Sequence, residues 1–140
     1  MNAKKILLAS IAVWLTGFVY YMSVNRIFLR RIYDLTPNIW RPAIELSSPY
    51  VMIGVSLFGF STAVFFTVIY AFIYKGIPGE GLQKGLMYGL FAWLLGPYTV
   101  NGMLAHILIV SPRIIGYWLL SNAVAMILMG VIVSAIYKEE

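Results

Sequence analysis

The sequence predicts an all-α polytopic membrane protein: a bundle of four transmembrane helices, with a short interfacial helix in the first connection. Three observations predict it. Of 140 residues, 61% are hydrophobic and 11% charged, and the mean hydropathy is +0.87. A soluble domain of this size could not hide so much apolar surface, so the solvent must be lipid. The apolar residues gather into four runs, at about 6–24, 50–74, 85–110 and 114–137, each long enough to cross a hydrocarbon core of roughly 30 Å. All 10 Lys and Arg and all 5 Asp and Glu residues fall between or beyond those runs, as expected where a charge at the bilayer centre costs roughly 2.5–3.5 kcal/mol even on the lenient insertion scale. The chain then reads as one transmembrane domain, residues 1–140.

The first run follows Lys4 and Lys5 and so begins like a signal peptide. It exceeds a usual h-region and lacks a small-x-small cleavage site before the next polar stretch, and so reads as a retained signal anchor. Tyr20 and Tyr21 stand near its far end, where amphipathic rings favour headgroup depth.

The long first connection is patterned. Arg26, Arg30 and Asp34 recur every four residues, while Phe28, Leu29, Ile32 and Leu35 fall on the other side. That pattern predicts an interfacial helix over about 26–35, with Arg26, Arg30 and Arg31 at the lipid headgroups. Thr36-Pro37-Asn38 ends it.

Ser48-Pro49 reads as an N-cap with proline in the first turn, launching the second span. Ser111-Pro112 repeats the signal for the fourth. Between them the third run opens with Gly81, Gly85 and Gly89, a four-residue spacing that places small residues on one helical face and lets a neighbouring backbone approach. Contact with another helix of the same bundle is the plainer reading of this series, and a subunit interface the other.

Gly96-Pro97 interrupts the third run. Proline removes a backbone donor and clashes with the carbonyl of Trp93, which predicts a kink. Such a break lines a transport site where the freed backbone faces a cavity, and is otherwise a packing feature.

Tyr98, Gly102 and His106 share a face beyond the break, with Asn101 beside them and Asn122 on the fourth span. In lipid, such groups seek one another. They either tie spans three and four together or line a polar pocket for a small ligand. His106 is the only histidine, so bis-histidine haem within one chain is impossible and a metal site would need ligands from elsewhere.

A short internal repeat is visible. Trp14-Leu15-Thr16-Gly17 resembles Trp93-Leu94-Leu95-Gly96, and Ile73-Tyr74-Lys75 returns as Ile136-Tyr137-Lys138. Two hairpins of one orientation would be related by an axis along the membrane normal.

Several functions lose their chemistry here. With no cysteine there is no disulfide, thiolate metal site or Cys nucleophile. The runs hold no carboxylate pair, no Ser-His-Asp set and no phosphate loop, and the acid that proton-coupled carriers place within a helix is missing. The formal net charge of +5 sits at the membrane boundaries, where anionic lipid accounts for it without nucleic acid. Sidedness is a tie: Lys4, Lys5, Lys75, Lys84 and Lys138 face Arg26, Arg30, Arg31, Arg41 and Arg113. The first span inserts first, which favours a cytoplasmic N-terminus, with the C-terminus on the same side.

Trp14-x-x-Gly17 followed by Tyr20-Tyr21, the long first connection and the glycine-punctuated third span resemble, in layout over the whole chain, a broad group of small four-span bacterial membrane proteins of unknown function. The resemblance implies a prokaryotic cell membrane and carries over neither an activity nor a site residue.

The expected function is that of a non-enzymatic integral membrane protein, an accessory subunit of a membrane complex or a small homo-oligomer, without cofactor or metal. Its expected partners are membrane lipids and a protein partner or second copy, not nucleic acid. The alternative is a binder or transporter of a small amphipathic molecule, using Tyr98, Asn101, His106 and Asn122.

Overall fold

In the computed structural model, which describes residues 2–29, 45, 48–108 and 110–138, every regular element among those residues is helical. Helix α1 spans Ala3–Val24 and starts at Asn2, whose side chain accepts from the backbone N–H groups of Lys4 and Lys5 at 3.1 and 3.2 Å. The acceptor satisfies two of the donors that a helix start leaves open. A π-helical turn, Asn25–Leu29, continues α1 without a break. Arg26 therefore belongs to the end of the first helix and not to a separate interfacial one. The rest of the expected interfacial helix, with Arg30 and Arg31, lies outside the described residues.

Helix α2, Pro49–Ile73, begins as the Ser-Pro signal implies, with Ser48 accepting from Val51 N at 3.4 Å. Its end tightens into a 3-10 turn, Tyr74–Gly76. The chain reverses through Gly79 and Gly81, at φ of +91° and +51°, a region that glycine enters without steric cost. Helix α3, Leu82–Trp93, follows. Lys84 reaches back from it: its Nζ donates to Tyr74 O at 2.7 Å and lies 4.5 Å from the centroid of the Tyr74 ring. A cation there suits the open carbonyls at the end of α2.

The third run is not one continuous α-helix. A π-helical turn, Leu94–Tyr98 with Pro97 inside it, separates α3 from α4, Thr99–Ile107. Two side chains serve the disturbed backbone. The Thr99 hydroxyl donates to Leu94 O at 2.9 Å and Asn101 Nδ2 to Pro97 O at 2.8 Å, as polar side chains do at proline breaks in lipid. The helix also stops at Ile107, with Leu108 extended, short of the expected 110.

Helix α5 spans Pro112–Ile136. Ser111 occupies its N-cap position, but the side chain makes no cap bond, so of the two Ser-Pro launches only the first uses its hydroxyl. Among the described residues, three helices are long and apolar enough to cross a membrane: α1 with its π turn (Ala3–Phe28), α2 with its 3-10 turn (Pro49–Gly76), and α5.

Helix α1 lies between α2 and α5, and α3 lies along α5. The α3–α5 contact is the closest. A Cβ on Gly85 would meet Ser134 Oγ and the Gly130 carbonyl, and one on Gly89 would meet Met126 O and Ile127 Cα. Reciprocally, a Cβ on Gly130 would meet the backbone of Gly85 and Gly89. Backbones this close exchange dispersion contacts that side chains would prevent, which is the main source of helix association in lipid. The glycine series expected on one face loses its first member. Gly81 precedes α3, in a turn conformation, and its Cβ position meets nothing.

The core gathers at the end of the bundle that carries both termini. Tyr70 packs edge-on against Tyr74, Tyr88 and Tyr137, with ring centroids at 5.7, 5.1 and 6.3 Å, and Ala9, Val13 and Val133 close around them. Lys5 Nζ donates to Lys138 O at 3.2 Å across this end. Toward the opposite end α2 carries exposed aromatic rings. Tyr50 is 86% exposed and Phe58 76%.

The two hairpins correspond in part. Trp14 lies over Gly59 of its partner α2, 3.5 Å from the position of a Cβ there, and Trp93 Nε1 donates to Leu119 O of its partner α5 at 3.0 Å. Gly17 meets Met129, however, whereas Gly96 faces open space.

Candidate functional site

A lateral groove of about 390 Å³ lies between α1, α2 and α5. Its shape follows from where side chains are small. Gly17, Gly59 and Ala63 withdraw volume from the facing surfaces of α1 and α2. Ser61 and Thr62 both donate to Phe58 O, at 2.8 and 2.9 Å, and back-bonding of this kind bends helices. Trp14 forms one wall, held edge-on by Phe60 at 6.0 Å and beside Phe18 at 6.1 Å. Met126 and Met129 of α5 supply the floor, a surface that adapts to irregular shapes because thioether chains are unbranched.

The lining is almost wholly apolar, with Tyr21 and Asn25 toward one end and Trp14 and Thr62 toward the other. Val13 and Phe66 mark the deep end; Tyr21, Met22, Asn25 and Val55 mark the other. The Tyr21 hydroxyl donates to Asn122 Oδ1 at 2.6 Å, and the Thr62 hydroxyl is committed to Phe58 O. Neither is free for chemistry, and the described lining offers no base beside a nucleophile. What the groove can do is hold an apolar chain by shape.

The four residues expected to line a polar pocket are placed apart. Tyr98 is half-exposed and stacks near Trp93, ring centroids 5.3 Å apart. Asn101 is buried and bonds Pro97 O of its own helix. His106 is exposed in the last turn of α4. Asn122 turns to α1, accepting from Tyr21 while its Nδ2 donates to Trp118 O at 2.8 Å. Among the described residues no hydrogen bond joins any two of the four. We therefore expect Asn101→Leu and His106→Leu to keep thermal stability in detergent close to that of the parent chain, since neither side chain ties α4 to another helix by a hydrogen bond among the described residues. Asn101→Leu should be the worse of the two, as it uncovers Pro97 O at the break.

The polar ties between helices come mainly from other residues, whose spacing carries a weaker signal. Beside Tyr21–Asn122, the Tyr20 hydroxyl donates to Ser121 O at 3.0 Å and the buried Tyr88 hydroxyl to Phe66 O at 2.6 Å. Gly130 and Ser134, four residues apart, form the small-residue face that receives Gly85 and Gly89. That spacing was the available signal for α5. Arg26, expected at the headgroups, is exposed one residue beyond the groove-lining Asn25.

Over the described residues, fold and site together define an all-helical architecture with three helices long and apolar enough to cross a membrane and a lateral apolar groove between them. No family model matches the chain, and neither the curated proteins nor the solved structures give a match.

Proposed function

We propose that this chain is a non-enzymatic, four-span protein of a prokaryotic cell membrane that holds the apolar part of a small amphipathic molecule in the groove between α1, α2 and α5. The fourth crossing is made by α3, the π turn and α4 in sequence, a helical path of Leu82–Ile107. Both termini then lie on one side, read as cytoplasmic. The observation that carries the reading is the groove itself: about 390 Å³ of space lined by apolar side chains, within the range of about 300–1,000 Å³ that small-molecule sites occupy. The binding reading thus moves from spans three and four to the other side of the bundle.

Native mass spectrometry after gentle detergent extraction tests it. The parent chain should carry a bound small molecule. Gly59→Leu should lose it, because a side chain there enters the groove beside Trp14 with ordinary contact distances. A parent chain that flies without any adduct sinks the proposal.

A second reading, an accessory subunit or homo-oligomer, rests on a different observation. Phe58, Phe65 and Phe72 recur every seven residues on α2 and are 76%, 67% and 81% exposed. A stripe of this period suits a partner helix. In the same spectra, a co-purifying protein or a second copy in place of a small molecule favours it.

A further inference from the structure

The groove has a direction, and the direction specifies a ligand. Along α1 it runs from Val13 to Asn25, twelve residues or about 18 Å of helix at 1.5 Å per residue. One leaflet of a hydrocarbon core of roughly 30 Å is about 15 Å deep. The groove therefore matches one leaflet and not the whole membrane. Val13, Ala63 and Phe66 mark its deep end, where the Thr62 hydroxyl is taken up by Phe58 O, and Tyr21 and Asn25 lie toward the end where α1 stops. The residue after the groove-lining Asn25 is the exposed cation Arg26. The connection that starts there carries Arg26, Arg30, Arg31 and Arg41 against only Asp34 and Glu45 in sequence. An apolar slot one leaflet deep, polar at the interfacial end and cationic beyond it, has the same order of parts as a lipid: tail, ester region, phosphate.

We infer that the occupant of the groove is an acyl chain of an anionic phospholipid from the leaflet at the Arg26 end, its phosphate met by the Arg26 guanidinium. The inference rests on the groove reading proposed above and adds the chemical class of the ligand. Arginine presents a planar fork of donors that fits phosphate oxygens in pairs. The tail supplies affinity by filling space between Trp14 and the methionine floor. The headgroup supplies selection. A neutral amphipath would satisfy the slot and leave Arg26 without a role, and a helix of a second copy would be too wide for a space of about 390 Å³, since a helix with its side chains is roughly 10 Å across.

The full chain is reconstituted in bilayers of equal phosphatidylglycerol and phosphatidylcholine with matched acyl chains, released into mild detergent, and weighed by native mass spectrometry. The parent chain should retain one phospholipid, with phosphatidylglycerol enriched about five-fold, the selection expected of one basic residue at an anionic surface. Arg26→Gln should keep a bound phospholipid and lose the enrichment. Gly59→Leu should retain neither lipid; Thr62→Phe, at an exposed groove position, serves if the glycine variant does not fold. Retention of both lipids in equal amounts by the parent chain, with loss in Gly59→Leu, overturns the anionic selection and leaves the groove reading standing. Equal retention by Gly59→Leu and the parent chain overturns both. Enrichment that survives in Arg26→Gln overturns the assignment to that residue.

Discussion

Gly89→Leu is expected to be the most damaging single substitution in the chain, and Gly130→Leu to match it. At both sites the first added carbon already collides. A Cβ on Gly89 would lie 2.7 Å from Ile127 Cα, and one on Gly130 would lie 2.9 and 3.0 Å from Gly89 N and Cα. The obstacles are backbone atoms of the facing helix, which no rotamer change moves aside. Overpacking in a core costs roughly 1–3 kcal/mol where side chains can adjust. Here α3 must separate from α5 instead, and the dispersion contacts along that seam go with it. Even Gly89→Ala should lower the melting temperature measured in detergent. Gly54→Leu and Gly102→Leu are the controls: their Cβ positions meet nothing within 4 Å, and both should melt with the parent chain. Full stability of Gly89→Leu would mean that the α3–α5 seam does not organise the bundle.

How much of this was legible in the sequence varies with the physical cause. Charge segregation and run length report the cost of lipid burial directly, so the helical class and the three helices long enough to cross are readable from the apolar runs. The Gly85–Gly89 face was readable because close approach needs small residues at helical spacing. Its receiving surface, Gly130 and Ser134, was equally present in the sequence, but a small-residue pair does not announce which other pair it meets. Gly81 misled for a related reason: spacing extrapolates a helix backward, whereas the turn after α2 requires a left-handed residue at that position. The polar cluster of Tyr98, Asn101, His106 and Asn122 rests on a four-residue spacing beyond the proline and on the tendency of polar groups in lipid to seek one another. Pro97 shifts the register through a π turn and draws Asn101 to its own carbonyl, so periodicity on one side no longer predicts faces on the other. The groove was illegible. It is lined by residues of three helices that are far apart in the chain, a combination that no single segment encodes.

Thr67→Val and Tyr70→Phe are expected to leave the protein as stable as the parent chain or more so, against the usual direction of core substitutions. Both residues are fully buried, and both hydroxyls are without a hydrogen-bond partner among the described residues. Other hydroxyls of α2 avoid this by bonding back to their own helix, as Ser61 and Thr62 do to Phe58 O. Ser134, buried in the same core, donates to Val131 O, and Tyr88 takes Phe66 O. A buried hydroxyl left without a partner costs about 1–3 kcal/mol, so removing it while keeping the shape relieves that cost. Valine is close to threonine in shape, and phenylalanine preserves the Tyr70 ring contacts with Tyr74, Tyr88 and Tyr137. Tyr88→Phe is the opposite case: it gives up a bond across two helices and should lose about 0.6 kcal/mol, the membrane average. Thermal unfolding of the three variants in one detergent reads the contrast directly. A Tyr70→Phe protein that melts below Tyr88→Phe would show that the Tyr70 hydroxyl has a stabilising partner, and that the tyrosine cluster is held by polar contacts as well as by packing.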